Sequence, residues 1–185
     1  MRIISGIHKS RLLNTLDGLD TRPMTDRMKE SVFNIIGPYF DGEVVLDLFG
    51  GSGALSLESL SRGASKAYIV EKSYQAVKII QSNIKALKEE ERTRVLNCDY
   101  KVALNKFISE QMKFDIIFLD PPYKLNLCKE IIDTIIENDM LKKDGIICAQ
   151  YVRGNFKPED NDYYEVIRNY THASSELCLM RKKDK

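Results

Sequence analysis

The stretch that decides the fold reads Val44-Val45-Leu46-Asp47-Leu48-Phe49-Gly50-Gly51-Ser52-Gly53. Its first half is a short apolar, β-branched run that is typical of a buried strand, and its second half is rich in glycine, which is typical of a tight turn. The segment from Ala54 to Arg62 then carries apolar residues at helical spacing and stops at Gly63, where a helix commonly ends. The sequence therefore predicts a strand, a turn and a helix in direct succession.

The same alternation continues along the chain. The predicted strands and helices that follow are Ala67–Glu71, Tyr74–Leu87, Arg94–Asp99, a helix through Val102–Ile108, Phe114–Asp120, Leu127–Glu137 and Ile146–Val152. Two last strand-like runs, Tyr164–Thr171 and Glu176–Met180, have no helix between them, which favours an antiparallel end to the sheet. Repeated strand–helix units predict an α/β fold with a mostly parallel, seven-stranded sheet and helices on both faces.

The first 40 residues have a different pattern. Residues 2–16 are interpreted as a small hairpin with Gly6 near its turn, and Thr25 or Asp26 can cap a helix that runs to about Tyr39. No linker, repeat or low-complexity tract interrupts the chain. We therefore expect a single domain over residues 1–185, with an N-terminal hairpin and helix extension (1–40) on a core (41–185).

Composition narrows the class of protein. The formal net charge is only +1, but both ends are basic, and residues 1–13 contain Arg2, Lys9 and Arg11 without an acid. Because phosphate contacts need local positive charge, these ends are compatible with nucleic-acid binding. The four cysteines include no Cys-x-x-Cys pair, and neither His8 nor His172 has a partner at ligand spacing, so no metal is expected.

The compartment and the oligomeric state are also expectations. No apolar run approaches the length of a membrane span, and the N-terminus lacks the apolar region of a signal peptide. We therefore expect a cytoplasmic protein without membrane contact. A monomer is the default for a chain of this size.

Three acids follow three successive predicted strands. Asp47 precedes the glycines, Glu71 ends the second strand and Asp99 ends the third. An acid before the glycine loop suits a ligand with an ammonium group, an acid at the second strand can accept both hydroxyls of a ribose, and one at the third can accept from an adenine amino group. Asp99 has an equally plausible role as a helix cap. Since ligands bind beyond the carboxyl ends of parallel strands, the acids are expected at one edge of the sheet.

The most specific motif is Asp120-Pro121-Pro122-Tyr123, directly after the most hydrophobic strand. The two prolines predict a stiff, extended turn that presents carbonyl oxygens and the Asp120 side chain. Tyr123 offers a flat face on which a base can stack. Acceptors at Asp120 and Pro121 can hold the two hydrogens of an amino group on a heteroaromatic ring and so aim its lone pair at a methyl donor.

Taken together, these motifs resemble those of Rossmann-like amino-methyltransferases. The segments Arg2-Ile3-Ile4-Ser5-Gly6 and Arg22-Pro23-Met24-Thr25-Asp26-Arg27 are similar to the bacterial small-subunit (16S) rRNA guanine-N2 methyltransferase family. The resemblance extends from residue 2 to the last strand. The sequence departs from the family pattern at Cys148-Ala149-Gln150-Tyr151, where an acid is expected.

The resemblance implies a Rossmann-like fold that uses S-adenosyl-L-methionine, releases S-adenosyl-L-homocysteine and acts on ribosomal RNA. The implied cofactor-binding residues are Thr25, Asp47, Phe49, Gly50, Gly51, Ser52, Gly53, Glu71, Lys72, Asp99 and Tyr100. The target guanine would be held by Asp120, Pro121, Pro122 and Tyr123. Phosphates would be gripped by Arg2, Lys9, Arg11 and Arg22.

Three alternatives stay open at this stage. A DNA methyltransferase acting on adenine-N6 or cytosine-N4 would use the same Pro-Pro-Tyr chemistry, although 185 residues leave little room for a region that reads DNA sequence. A catalytically inactive RNA-binding assembly factor would have no physical need for both Asp120 and Tyr123. A dehydrogenase is disfavoured because the segment from Gly51 to Ser56 has no third glycine for a pyrophosphate.

Overall fold

A computed structural model describes residues 1–17, 24–122 and 125–184. Its seven strands form one sheet in the order β3-β2-β1-β4-β5-β7-β6. The strands from β1 to β5 are separated by helices, and the last two are not. The predicted fold class, a mostly parallel α/β sheet with an antiparallel C-terminal end, is confirmed.

The chain divides into two compact units, and the first is Met1–Ala103. Its elements are α1 (Asp26–Ile36), β1 (Val44–Asp47), α2 (Ala54–Ser61), β2 (Lys66–Val70), α3 (Tyr74–Leu87), a 3₁₀ turn (Glu90–Arg92) and β3 (Thr93–Leu96). The strands pair in parallel, with Val45 opposite Ala67 and Ala67 opposite Thr93. The three carboxyl ends therefore lie side by side, as the positions of the three acids predict.

The second unit is Leu104–Lys185, and helix α4 (Tyr100–Ser109) leads into it. Its other elements are β4 (Phe114–Leu119), α5 (Cys128–Glu137), β5 (Leu141–Val152), β6 (Tyr164–His172) and β7 (Ser175–Lys182). Strand β5 is parallel to β4 and antiparallel to β7, and β7 is antiparallel to β6. All residues of β4 except Asp115 are buried, which agrees with the near-continuous apolar sequence of this strand.

Several element boundaries differ from the prediction by one to five residues, and two of these differences have a clear local cause. Helix α1 ends at Ile36 rather than near Tyr39, because Gly37 precedes Pro38 and the residue before a proline avoids helical geometry. Strand β5 starts at Leu141 rather than Ile146, because Leu141 already pairs with Phe114 of β4; the register shift between this pair and the Ile116–Ile146 pair accommodates the polar residues 142–145. The single-domain interpretation of the chain stays a prediction.

The N-terminal residues form the predicted hairpin. Arg2 and Leu12 make an antiparallel bridge, and the Ile3 amide donates to the Arg11 carbonyl at 2.9 Å. The turn packs against the end of α2 at Gly6, where a Cβ would lie 1.8 Å from the Ser61 carbonyl oxygen and φ is +89°. Only glycine fits such a close approach. Within the described residues, no helix is long and apolar enough to cross a membrane.

A buried carboxylate joins the hairpin to α1 and α2. Glu58 is fully buried; its Oε1 accepts from the Arg62 Nε at 2.8 Å, and its Oε2 lies 3.3 Å from the Lys29 Nζ. The backbone amides of Ile4 and Ser5 donate to the same carboxylate at 2.9 and 3.1 Å. Lys29 and Arg62 are themselves 1% and 4% exposed. We call Glu58, Lys29 and Arg62 the buried ion triad.

Removing the central charge of this triad should destabilise the protein strongly. In Glu58→Gln, two buried cations would lose their counter-charge, so the free energy of unfolding should fall by about 3–5 kcal/mol. Urea denaturation at neutral pH measures this loss. The control is Glu110→Gln, at a half-exposed carboxylate that pairs with Lys106 and should change stability by less than about 0.5 kcal/mol. Equal effects of the two changes would contradict the assignment.

Candidate active site

The glycine loop between β1 and α2 folds tightly because two of its glycines take left-handed geometry. Gly51 has φ +58° and Gly53, the residue before α2, has φ +80°. Gly50 packs so closely on β2 that a Cβ would lie 2.5 Å from the Ile69 Cγ2, and its amide donates to the Val70 carbonyl at 2.9 Å. A Cβ on Gly51 would meet nothing within 4 Å, so the loop has an open side there.

Asp47 supports this loop from below. Its side chain is 2% exposed; it accepts from the Phe49 amide at 3.3 Å and from the Ser56 hydroxyl at 3.5 Å. These contacts give the acid a structural role in shaping the turn. The predicted contact of Asp47 with a ligand's ammonium group stays a prediction.

Glu71 braces the loop from the neighbouring strand end. Its two carboxylate oxygens accept from the Gly51 amide at 2.9 Å and from the Ser73 amide at 2.8 Å. Behind it, the Asn97 side chain donates to the carbonyls of Glu71 and Lys72 at 2.9 and 3.1 Å. Each carboxylate oxygen has a second lone pair, so Glu71 keeps acceptor capacity for a ligand's hydroxyls.

At the end of β3, Asp99 caps the following helix. Its Oδ1 accepts from the Lys101 amide at 2.9 Å, and its Oδ2 lies 3.6 Å from the exposed Lys72 ammonium. Next to it, the rings of Tyr100 and Phe49 lie 5.5 Å apart between centroids, tilted by 43°. The first unit therefore presents a glycine loop, two half-exposed acids and an aromatic pair at the carboxyl ends of β1, β2 and β3.

One residue that the sequence interpretation missed holds the loop in place. Asn83 is 1% exposed and lies on the buried side of α3. Its side-chain nitrogen donates to the Ser52 carbonyl and to the Asn14 carbonyl, both at 2.9 Å, and its oxygen accepts from the Asn14 amide at 2.8 Å. The signal in the sequence was a lone amide among the apolar positions of a helix.

The N-terminal residues that were predicted to bind ligand or phosphate have distinct surroundings. Thr25 caps α1, its hydroxyl accepting from the Met28 amide at 3.2 Å. The Arg2 Nε lies 3.7 Å from the Asp26 Oδ2. The Arg11 guanidinium donates to the Ala86 carbonyl at 2.8 Å, and Lys9 is exposed. Arg22 lies outside the described residues.

His8 has a long-range partner that the sequence did not indicate. Its Nε2 lies 2.5 Å from the Glu89 Oε1, and Glu89 is a buried carboxylate. Glu89 also pairs with Arg92. His8 therefore fastens the hairpin to the segment after α3, a contact between residues too far apart in the chain to be expected from spacing.

In the second unit, the Asp-Pro-Pro turn follows β4 directly, as predicted. Burial raises the pKa of Asp120 from 3.8 to about 7. Pro121 is buried, and the Pro122 carbonyl accepts from the Leu125 amide at 3.0 Å. Tyr123 lies outside the described residues.

The helix and the strands that follow this turn contribute buried, neutral side chains. The thiol of Cys128, at the start of α5, donates to the Gln150 carbonyl at 3.7 Å, and burial and the nearby Asp120 charge raise the pKa of that thiol to about 12. Gln150 is neutral and 4% exposed, and it lies within the segment Cys148–Tyr151, where an acid was expected from the resemblance. Cys148 and Cys178 are buried as well. Among the described residues, no three His, Cys, Asp or Glu side chains group as a metal site would require.

The comparisons with known proteins agree with this arrangement. The "Conserved hypothetical protein 95" family matches residues 1–181. The "Putative rRNA methyltransferase YlbH" of Bacillus subtilis is 40% identical over 183 residues, 99% of this chain and 100% of the relative. The "Ribosomal RNA small subunit methyltransferase D" of Haemophilus influenzae is 36% identical over 151 residues, 81% of this chain and 78% of the relative.

A solved structure extends the likeness to three dimensions. The structure titled "Putative methyltransferase yhhF from Escherichia coli" has a TM-score of 0.85 and 31% identity; the match covers 100% of this chain and 99% of that one. Sheet order, glycine loop and strand-end acids define a Rossmann-like methyltransferase of the S-adenosylmethionine-dependent class. Within that class, the chain belongs to the "Conserved hypothetical protein 95" family.

The raised pKa of Asp120 makes stability depend on pH. Between about pH 4 and 7 the folded carboxyl holds a proton that the unfolded one has lost, so this residue's contribution to stability falls as pH rises through that window. In Asp120→Asn the contribution is absent. We expect the difference in unfolding free energy, variant minus wild type, to become more positive by roughly 2–4 kcal/mol from pH 4.5 to pH 8, a shift on the scale of about 1.4 kcal/mol per pKa unit.

Urea denaturation at both pH values tests this expectation. The matched control is Asp133→Asn, at a half-exposed carboxylate of α5 that pairs with Lys129. Its difference from wild type at the two pH values gives the baseline for removing an exposed carboxylate from the same unit. A difference for Asp120→Asn that is constant across the range would rule out the raised pKa.

Proposed function

We propose that this protein transfers a methyl group from S-adenosyl-L-methionine to the exocyclic N2 amino group of a specific guanine in small-subunit ribosomal RNA. The observation that carries the proposal is the Asp120-Pro121-Pro122 turn directly after the buried strand β4, in a chain whose relatives bear the names of ribosomal RNA methyltransferases. We further propose a cytoplasmic monomer.

S-Adenosyl-L-methionine supplies an electrophilic methyl group on a sulfonium centre and leaves as S-adenosyl-L-homocysteine. The residues of the first unit fit such a ligand, because the loop is open at Gly51 and the carboxylates of Glu71 and Asp99 keep free lone pairs. Glu71 would accept from the ribose hydroxyls and Asp99 from the adenine amino group. The whole proposed set is Thr25, Asp47, Phe49, Gly50, Gly51, Ser52, Gly53, Glu71, Lys72, Asp99 and Tyr100.

The task of the second unit is to orient a poor nucleophile. The lone pair of an amino group on guanine is delocalised into the ring, so the group reacts only if its hydrogens are held and the lone pair is directed at the methyl carbon. The Asp120 carboxylate and the Pro121 carbonyl would accept those two hydrogens. Pro122 stiffens the turn, and Tyr123 would stack on the base.

The reaction also requires that the target base be accessible and that the protein bind the RNA backbone. A guanine inside a helix has to be flipped out first, at a cost of a few kcal/mol. Arg2, Lys9, Arg11 and Arg22 are proposed to contact phosphates and so to offset part of that cost.

The first experiment supplies labelled S-adenosyl-L-methionine to the purified protein with hypomethylated small ribosomal subunits, free ribosomal RNA or DNA. Digestion to nucleosides then locates the label. We expect N2-methylguanosine from RNA, and the preferred substrate shows which assembly state is used. Label only in DNA would replace the proposal with a DNA methyltransferase, and no transfer to any substrate would favour an inactive RNA-binding factor.

Asp120 should be required for transfer but not for cofactor binding. We expect Asp120→Ala to bind S-adenosyl-L-methionine within about twofold of wild type by calorimetry, while methyl transfer falls at least about 100-fold because the amino group is no longer oriented. Full activity of this variant would exclude the site assignment.

The raised pKa of Asp120 also predicts a pH profile. Protonation turns one carboxyl oxygen into a donor and removes the charge that makes the other a strong acceptor, so kcat/KM for RNA should fall as pH falls through about 7 and should level off above it. The profile is measured from about pH 5.5 to 9 at saturating cofactor. Asp120→Asn has no titratable acid at this position, so the fall of kcat/KM near pH 7 should be absent from its residual activity. A fall that persists in this variant would arise from the titration of another group.

A further inference from the structure

The outer face of α3 is a cationic surface that the proposed site does not use. Residues 74–87 contain Lys78 and Lys85 but no acid, and Lys88 follows at the helix end. All three side chains are exposed. Lys78 and Lys85 are seven residues apart, so they lie on the same side of the helix and about 10 Å from each other along its axis.

The hairpin adds two further cations beside this face. Asn14 donates to the Ser82 hydroxyl at 3.4 Å, and Arg11 donates to the Ala86 carbonyl at 2.8 Å, so residues 11–14 run alongside the second half of α3. Lys9 and Arg11 are exposed there. We call Lys9, Arg11, Lys78, Lys85 and Lys88 the α3 cation surface.

These cations differ from most others in the way they are paired. In the part of the chain that the structure describes, none of the five has a carboxylate within ion-pair distance. Exposed lysines on other helices do pair, as Lys106 does with Glu110 at 2.7 Å and Lys129 with Asp133 at 2.6 Å. Net charge is +1, so this group of uncompensated cations is a local feature and not a property of the whole surface.

An aromatic ring lies at the first turn of the same face. Tyr74 is 63% exposed, and the Lys78 ammonium lies 4.7 Å from its ring centroid. A ring beside spaced cations suits a nucleic-acid strand, because bases stack on the ring and phosphates meet the cations. A lipid surface fits less well, since the apolar residues of α3 are turned into the core.

We propose that the α3 cation surface binds the phosphate backbone of the substrate RNA, with Tyr74 stacking on a base. This inference rests on the proposed function, which makes RNA the substrate, and extends the RNA contact from the hairpin to α3. The hairpin and α3 would then hold one strand together, because hydrogen bonds fix Arg11 and Asn14 against the helix.

The test compares Lys78→Gln/Lys85→Gln with wild type for binding to unmodified small-subunit ribosomal RNA made by transcription. Affinity is measured between about 50 and 200 mM salt. Loss of two phosphate contacts should weaken binding about tenfold or more and reduce the slope of log K against log salt by about 1.4, at about 0.7 per contact for single strands. Affinity for S-adenosyl-L-methionine should not change, which verifies that the variant is folded.

The matched control is Lys106→Gln/Lys129→Gln, which removes the same charge from exposed, paired lysines. It should leave the salt slope near that of wild type. An unchanged slope for the α3 variant, or an equal fall for the control, overturns the proposal. Weakened binding to assembled subunits with unchanged binding to bare RNA also overturns it, because the partner would then be a ribosomal protein.

Substitutions of Tyr74 test the stacking part of the proposal independently. Tyr74→Ala should weaken RNA binding about fivefold or more without altering the salt slope, and Tyr74→Phe, which keeps the ring, should bind as wild type does. Equal RNA binding by wild type, Tyr74→Ala and Tyr74→Phe would show that Tyr74 does not contact the RNA. If the α3 variant shows the expected fall in salt slope but wild type methylates no RNA, the proposed function fails and the α3 cation surface is still supported. If wild type methylates RNA but the α3 variant has the salt slope of wild type, the proposed function is supported and the α3 cation surface is rejected.

Discussion

The carboxylate of Glu58 is the constraint on which the first unit depends. A fully buried charge is tolerated only where every oxygen is compensated, and here two cations and two backbone amides do so. The four partners come from three places: Lys29 from α1, Arg62 from the end of α2, and Ile4 and Ser5 from the hairpin. An apolar residue could fill the same volume, but it could not fix the position of the hairpin through its amides.

From this anchor, a series of polar contacts leads to the glycine loop. The hairpin runs on to Asn14, Asn14 pairs with the buried Asn83, and Asn83 holds the Ser52 carbonyl of the loop. On the other side of the loop, Glu71 holds the Gly51 amide. Loop glycines are conformationally free in an unfolded chain, so these contacts prepare a shape that a ligand would otherwise have to impose at the expense of its affinity.

The sequence predicted the local patterns well and the long-range polar contacts poorly. Strand and helix order followed from apolar periodicity, and helix α3 was predicted with its observed bounds because its apolar face is regular. Glu58, by contrast, occupies a position that suits a solvated helix face as well as a buried one. Its partners Ile4 and Ser5 lie 54 and 53 residues away, a distance over which spacing carries no signal. The neutral Gln150 was visible in the sequence, but its burial was not.

The distant partners of Glu58 also set an order of events during synthesis. The hairpin leaves the ribosome before α2, so its amides donate to water until the Glu58 carboxylate has been made. At about 5–20 residues per second, roughly 60 residues correspond to an interval on the order of several seconds. During that time the apolar residues of the hairpin are exposed to water, and closing the long loop carries an entropic cost. The hairpin is thus synthesised before the helix that fixes its position.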